Sequence, residues 1–154
     1  MMIRKYKPSD CTELIRLFRE TVYTINAHDY TPEQLSAWAD NNRTPKEWNH
    51  SFTEHYTLVA VDNIIKGFGD IDSSGYLDRL FVHKDFQRQK IATYICNELE
   101  KNVTSGKIIT HASVTAKPFF LDRGYYVVKE QQVFRNGVYL TNYIMEKQII
   151  INNS

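Results

Sequence analysis

The sequence predicts a mixed α/β chain of the α+β type: a mostly antiparallel, twisted sheet of about six or seven strands flanked by helices, with one central parallel strand-helix-strand unit. Three observations lead there. Short apolar or alternating runs of strand length recur between turn residues. Stretches with apolar residues three and four apart mark amphipathic helices. Strand, helix and strand follow one another once in the middle of the chain, from Tyr76 to Val114, where a crossover connection pairs two strands in parallel. With 154 residues there is material for one hydrophobic core, so a single domain is expected over residues 1–148 and a tail over 149–154.

The elements follow in order. A weak strand in Met2–Lys7 meets Pro8-Ser9-Asp10, a turn with helix-capping side chains. From Cys11 the positions Leu14, Leu17 or Phe18, and Val22 give a helix with one buried face. Tyr30-Thr31-Pro32-Glu33 reads as an N-cap with proline at the first helical position, opening a second, shorter helix through Leu35, Trp38 and Ala39. Strands at Thr57–Val61 and Ile64–Ile71 form a hairpin about Asp62-Asn63, and a third runs from Tyr76 to Val82. Ile91, Ile95 and Leu99 define the next helix, with its first turn expected around Gln87 to Lys90. A strand from Ile108 to Val114, a short helix over Lys117–Asp122 closed at Gly124, and strands at Tyr125–Phe134 and Val138–Met145 complete the chain. The last two flank Asn136-Gly137, suited to a type I′ turn.

A composition that is 42% hydrophobic and 24% charged, with a formal net charge of +1, argues against disorder, a membrane span or a surface that coats nucleic acid. The opening MMIRKYKPSD lacks the apolar run of a secretory signal, so a cytoplasmic protein is expected. Cys11 and Cys96 lie within apolar helical patterns and read as buried free thiols. His28 and His83 make no recognisable metal spacing, so no metal is expected.

Chemistry concentrates where Leu80-Phe81-Val82 leads into His83-Lys84-Asp85-Phe86-Gln87-Arg88-Gln89-Lys90-Ile91-Ala92. Unpaired amides at such a helix start, with the helix dipole, suit an anion such as a diphosphate. Any strand-to-helix junction offers these amides, so on the feature alone an ordinary crossover is the better reading. The segment resembles the signature of the GNAT superfamily of N-acetyltransferases, a strand ending in Leu-aromatic-Val followed by Gln/Arg-x-x-Gly-x-Gly/Ala at the start of a helix. Ala112 to Tyr125 is similar to the family's late strand and helix, and the His28–Ala39 segment and final hairpin look like those of a small bacterial branch.

The resemblance implies the GNAT fold and acetyl-CoA as co-substrate. By position it places the thioester and pantetheine arm at Leu80, Phe81 and Val82. The pyrophosphate falls at Arg88, Gln89, Lys90, Ile91, Ala92 and Thr93. Two departures stand out: Lys90 replaces the motif glycine, and Phe120 occupies the position where many members place the tyrosine that protonates the departing thiolate. They motivate an alternative, a CoA-binding module that does not transfer.

For the transfer, a backbone N–H near Phe81 or Val82 is the expected oxyanion donor. Asp78, four residues before Val82, is expected by alternation on the face of Leu80 and Val82, where it serves as base for a primary amine or forms a cross-strand ion pair; the two readings are even. Tyr125 and Tyr143 are candidate thiolate acids among ten tyrosines, most of which will pack. His28, Tyr30 and Trp38 are candidates for the acceptor pocket, against a simple helix cap and core tryptophan. The acceptor is expected to be a small-molecule or peptide amine, nucleic acid is not, and the aromatic final hairpin permits a homodimer.

Overall fold

A computed structural model describes residues 1–104 and 106–149. The chain runs β1 (Met2–Lys5), α1 (Cys11–Thr24), α2 (Pro32–Ala39), α3 (Pro45–Glu54), β2 (Tyr56–Asp62), β3 (Ile64–Ile71), β4 (Tyr76–Val82), α4 (Ile91–Lys101), β5 (Lys107–Ser113), α5 (Lys117–Asp122), β6 (Tyr126–Arg135) and β7 (Val138–Gln148). The strands form one seven-stranded sheet in the order β1-β2-β3-β4-β5-β7-β6. Every neighbouring pair is antiparallel except β4–β5. Of the tail expected over 149–154, residues 150–154 lie outside the described residues, while the Ile149 N–H donates to the Gly106 carbonyl at 2.9 Å. No helix among the described residues is long and apolar enough to cross a membrane.

Each face of the sheet is buried by the helices whose periodicity fits it. Leu14, Phe18 and Val22 of α1, with Trp48 and Phe52 of α3, pack on Val59 and Phe68. On the other face Ile91, Ile95 and Leu99 of α4 meet Leu58, Ile71, Leu77 and Met145. The close approach of α4 requires glycine: a Cβ at Gly69 would lie 3.0 Å from Ile95 Cγ2 and 3.1 Å from the Arg79 carbonyl. Cys11 and Cys96 are buried free thiols.

Two elements differ from expectation. Three helices, not two, precede the β2–β3 hairpin. The extra one, α3, opens with the device that opens α2: Thr44 accepts from the Glu47 N–H, Glu47 reaches back, and Pro45 takes the first position, as Thr31, Gln34 and Pro32 do in α2. Second, Gln87–Lys90 is not the first turn of α4. Lys84–Phe86 forms a 3-10 turn, and Arg88 (φ 62°) and Lys90 (φ 65°) are left-handed, so α4 starts only at Ile91. The turn at Asn136-Gly137 has φ of 44° and 87°, as a type I′ turn requires.

Candidate active site

The parallel pair β4–β5 is joined only at Tyr76↔Ile109 and Leu77↔Thr110, with the Thr110 hydroxyl donating to the Leu77 carbonyl at 2.8 Å. Past these residues the two strands line a cleft of about 1470 Å³. Which groups of β4 face it follows from alternation. The His83 N–H donates to Lys66 at 2.8 Å and Phe81 opposes Phe68, so their main-chain groups point to β3. Those of Leu80 and Val82 point to the gap. The main-chain amides of this strand that face the cleft are therefore those of Leu80 and Val82; that of Phe81 is turned away. The Val82 carbonyl is occupied by the Thr21 hydroxyl at 3.1 Å and the Gln87 side-chain amide at 2.7 Å.

One end of the cleft is the start of α4. Lys90 is its N-cap residue, makes no side-chain cap bond, and no acidic side chain lies in the first turn. The amides of Ile91, Ala92 and Thr93 thus lack helical partners, and these residues line the cleft with Arg88 and Lys90. A left-handed Lys90 costs roughly 1–2 kcal/mol, yet it turns the chain from strand to helix without covering the amides.

At the other end stands Asp78, inserted by a bulge: Asp70 opposes Arg79 and Ile71 opposes Leu77, leaving Asp78 as the extra residue. The bulge shifts the phase of alternation. Leu77, Leu80 and Val82 pack toward α4, whereas Asp78 turns with Arg79 to the opposite face, against the sequence expectation. Its carboxylate lies 3.6 Å from Arg79 Nη2, an ion pair with its own neighbour rather than across strands. Buried Asp70 secures the bulge, accepting the Arg79 N–H at 2.9 Å and its Nη1 at 2.8 Å. Arg79 Nη2 also donates to Ser51 at 2.5 Å, and His55 Nδ1 is 3.2 Å from Asp70. Ligand atoms of His55, Asp70 and Asp78 cluster within 4.8 Å of one another, but the Arg79 guanidinium is already the cation among them.

Burial pushes the Asp78 carboxyl up, against the pull of Arg79. Across the gap on β5, His111 packs edge-on to Tyr76 at 5.1 Å; burial lowers its pKa despite Asp78, leaving the imidazole neutral at neutral pH. Burial, then the charge of Asp78, pushes the Tyr76 phenol up to about 12. The cleft therefore joins an anion-accepting end, a strand edge with free amides, and an end holding a carboxyl and a neutral imidazole.

A family model described as an acetyltransferase (GNAT) domain matches residues 26–147. The chain belongs to the GNAT acetyltransferase family. It is 32% identical over 146 residues to the uncharacterized N-acetyltransferase YafP of Escherichia coli strain K12, covering 94% of each chain. A GCN5-related N-acetyltransferase from Rhodopseudomonas palustris superposes with a TM-score of 0.92 at 27% identity, over 96% of this chain and 95% of that one. A PaiA N-acetyltransferase from Thermoplasma acidophilum, solved in complex with coenzyme A, shares the fold at a TM-score of 0.76 and 19% identity, over 96% and 98% of the chains. The protein is accordingly an acyltransferase of GNAT fold.

In this GNAT chain the cleft gathers most of the residues singled out in the sequence. Leu80, Phe81, Val82, Arg88, Lys90, Ile91, Ala92 and Thr93 line it, as do His28, Tyr30, Trp38 and Asp78. Gln89 is exposed and does not line it. Tyr30 is committed to structure, its hydroxyl donating to the Thr141 carbonyl at 2.8 Å and accepting the Val114 N–H at 2.9 Å. Trp38 packs on Tyr30 and on Phe81 at 5.6 and 6.2 Å, and His28 is exposed at the rim.

The two candidate acids fall outside the cleft. Tyr125 is a core residue at 2% exposure; its hydroxyl donates to Glu100 at 2.9 Å, and burial with that carboxylate pushes the phenol far up. Tyr143 reaches Glu130 at 3.4 Å, with Lys117 over its ring at 4.2 Å. Both miss because a tyrosine's strand position gives its element but not its face. Phe120 packs against Tyr125 at 5.0 Å. Sequence reasoning missed His111, Arg43 and Arg135, which all line the cleft. His111 was legible as the one ionisable residue in the strand expected over Ile108–Val114; Arg43 required recognising α3, whose Trp48 it covers at 4.9 Å.

Proposed function

We propose that the protein transfers an acetyl group from acetyl-CoA to a primary amine of a small molecule or peptide, by direct attack while both substrates are bound. The observation that carries this reading is the single cleft with open helix amides at one end and Asp78 at the other, joined by the unpaired edge of β4. The residues present suit the donor. Uncapped amides of Ile91, Ala92 and Thr93, with no acid beside them, fit a diphosphate, and the Leu80–Val82 edge offers main-chain partners to an amide-bearing arm.

Acetyl-CoA supplies a thioester whose C–S bond breaks as the new C–N bond forms. Leu80 and Val82 N–H groups stabilise the carbonyl oxygen as it gains charge, an effect typically worth about 2.7–4 kcal/mol per donor. Asp78, raised by burial, binds the ammonium and takes its proton, freeing the nitrogen lone pair. The sulfur leaves as a thiolate and takes up, through water, the second proton that the nitrogen sheds as the amide forms, since neither Tyr125 nor Tyr143 presents a hydroxyl to the cleft and Phe120 has none. Holding the partners in line contributes further, up to roughly 7–11 kcal/mol in ideal geometry.

The test combines binding with turnover. Saturating acetyl-CoA should raise the unfolding temperature, with about 2.7 kcal/mol of stabilisation at a hundredfold excess over the dissociation constant. An amine panel should release free CoA thiol, and Asp78→Asn should lower that rate by about 10²-fold or more with acetyl-CoA affinity intact. Stabilisation without thiol release from any amine would establish a CoA-binding module instead. Loss of turnover in His111→Asn but not in Asp78→Asn would move the base to β5.

A further inference from the structure

We propose that the acceptor is an amine that also carries a carboxylate, an amino acid or a close amino-carboxylate, with Arg43 and Arg135 gripping its anionic end while Asp78 faces its ammonium. The inference rests on the acetyl-transfer reading and names the substrate class of the same cleft.

The acceptor side of the cleft treats its three arginines differently. Arg79 is consumed by Asp70, Ser51 and Asp78. Arg43 lies over Trp48, its Cζ 4.9 Å from the ring centroid, on the same indole that Arg79 approaches at 5.1 Å. Among the described residues no carboxylate lies within ion-pair distance of the Arg43 guanidinium, and the residue's main-chain N–H donates to Asn41 Oδ1 at 3.0 Å. Glu47, which also lines the cleft, is turned to Thr44 in the α3 cap. Partial burial, and then the neighbouring charge of Arg79, lower Arg43 from the ordinary arginine value, while Asp78, Glu47 and Asp70 act the other way and the side chain stays exposed. Arg135, just before the β6–β7 turn, also lines the cleft without an ion pair among the described residues, and its charge acts on Tyr76 and His111.

Arg79 is thus neutralised by Asp70 and Asp78, whereas Arg43 and Arg135, both exposed, line the acceptor end with no ion pair among the described residues. An amino-carboxylate in its reactive form, with a neutral amine and an ionised carboxyl, offers these two guanidiniums a counter-ion. A planar guanidinium backed by an aromatic ring is also shaped for two parallel bonds to a carboxylate.

The test uses L-amino acids, each with its carboxamide and its decarboxylated amine, scored by CoA thiol release and by calorimetric binding to CoA-saturated protein. Amino acids should be preferred roughly ten- to a hundredfold, the range of one charge-assisted contact. In Arg43→Gln and Arg135→Gln the KM for the acid should rise by about that factor, with kcat and the KM for the carboxamide little changed. Equal binding of acid and carboxamide to the native protein, or equal losses for both in the variants, would overturn the proposal. Failure of the transferase reading looks different: no thiol is released, while the acid still binds more tightly than its carboxamide.

Discussion

At the scale of single residues, the network beneath Asp78 couples the site to pH through His55. Its hydrogen bond to Asp70, outweighing burial, raises the imidazole pKa above 6.5. Asp70, Arg79 and Asp78 are the charged groups facing it. A histidine raised in the folded state binds its proton more tightly there, so its stabilisation is complete below 6.5 and disappears as the pH climbs through the raised value. Thermal unfolding followed from about pH 6 to pH 8 should therefore show a falling midpoint that flattens in His55→Gln. An unchanged slope in the variant would place the dependence elsewhere. Asp78 was legible as a candidate from its strand, but not its direction. Alternation assumes an unbroken ladder, and the bulge that inverts it depends on Asp70, eight residues earlier, capturing the Arg79 amide.

At the scale of elements, the loop before α4 trades backbone comfort for open amides. Arg88 and Lys90 both hold positive φ, where residues other than glycine are strained. Lys90→Gly should relieve that strain and raise stability by about 0.5–1 kcal/mol, a midpoint increase of roughly 1–4 °C at this chain length; a fall would mean that the lysine side chain makes a compensating contact. Much of the element order was readable because apolar periodicity and turn residues agreed, as at Pro32, Asn136-Gly137 and Gly124. The helix α3 was not, because only Trp48 and Phe52 are buried in an otherwise polar segment and its stripe is too thin to register. Its Thr44-Pro45 opening repeats that of α2 and was the available signal. With α3 unread, Arg43 had no element to sit on.

At the scale of the whole molecule, the sheet is two blades, β1–β4 and β5–β7, that share a ladder at Tyr76 and Leu77 alone. Elsewhere the blades are tied by packed side chains, as where Leu58, Ile71 and Leu77 of one share a cluster with Ile108, Ala112 and Met145 of the other. A seam so short is the natural place for the molecule to open, with each blade exchanging its amide hydrogens on its own schedule. Any ligand that fills the wedge becomes part of the seam. Acetyl-CoA should then slow exchange in β4 and β5 together and merge the two blades into one cooperative unit, so that the reactant itself serves as the missing rungs of the sheet.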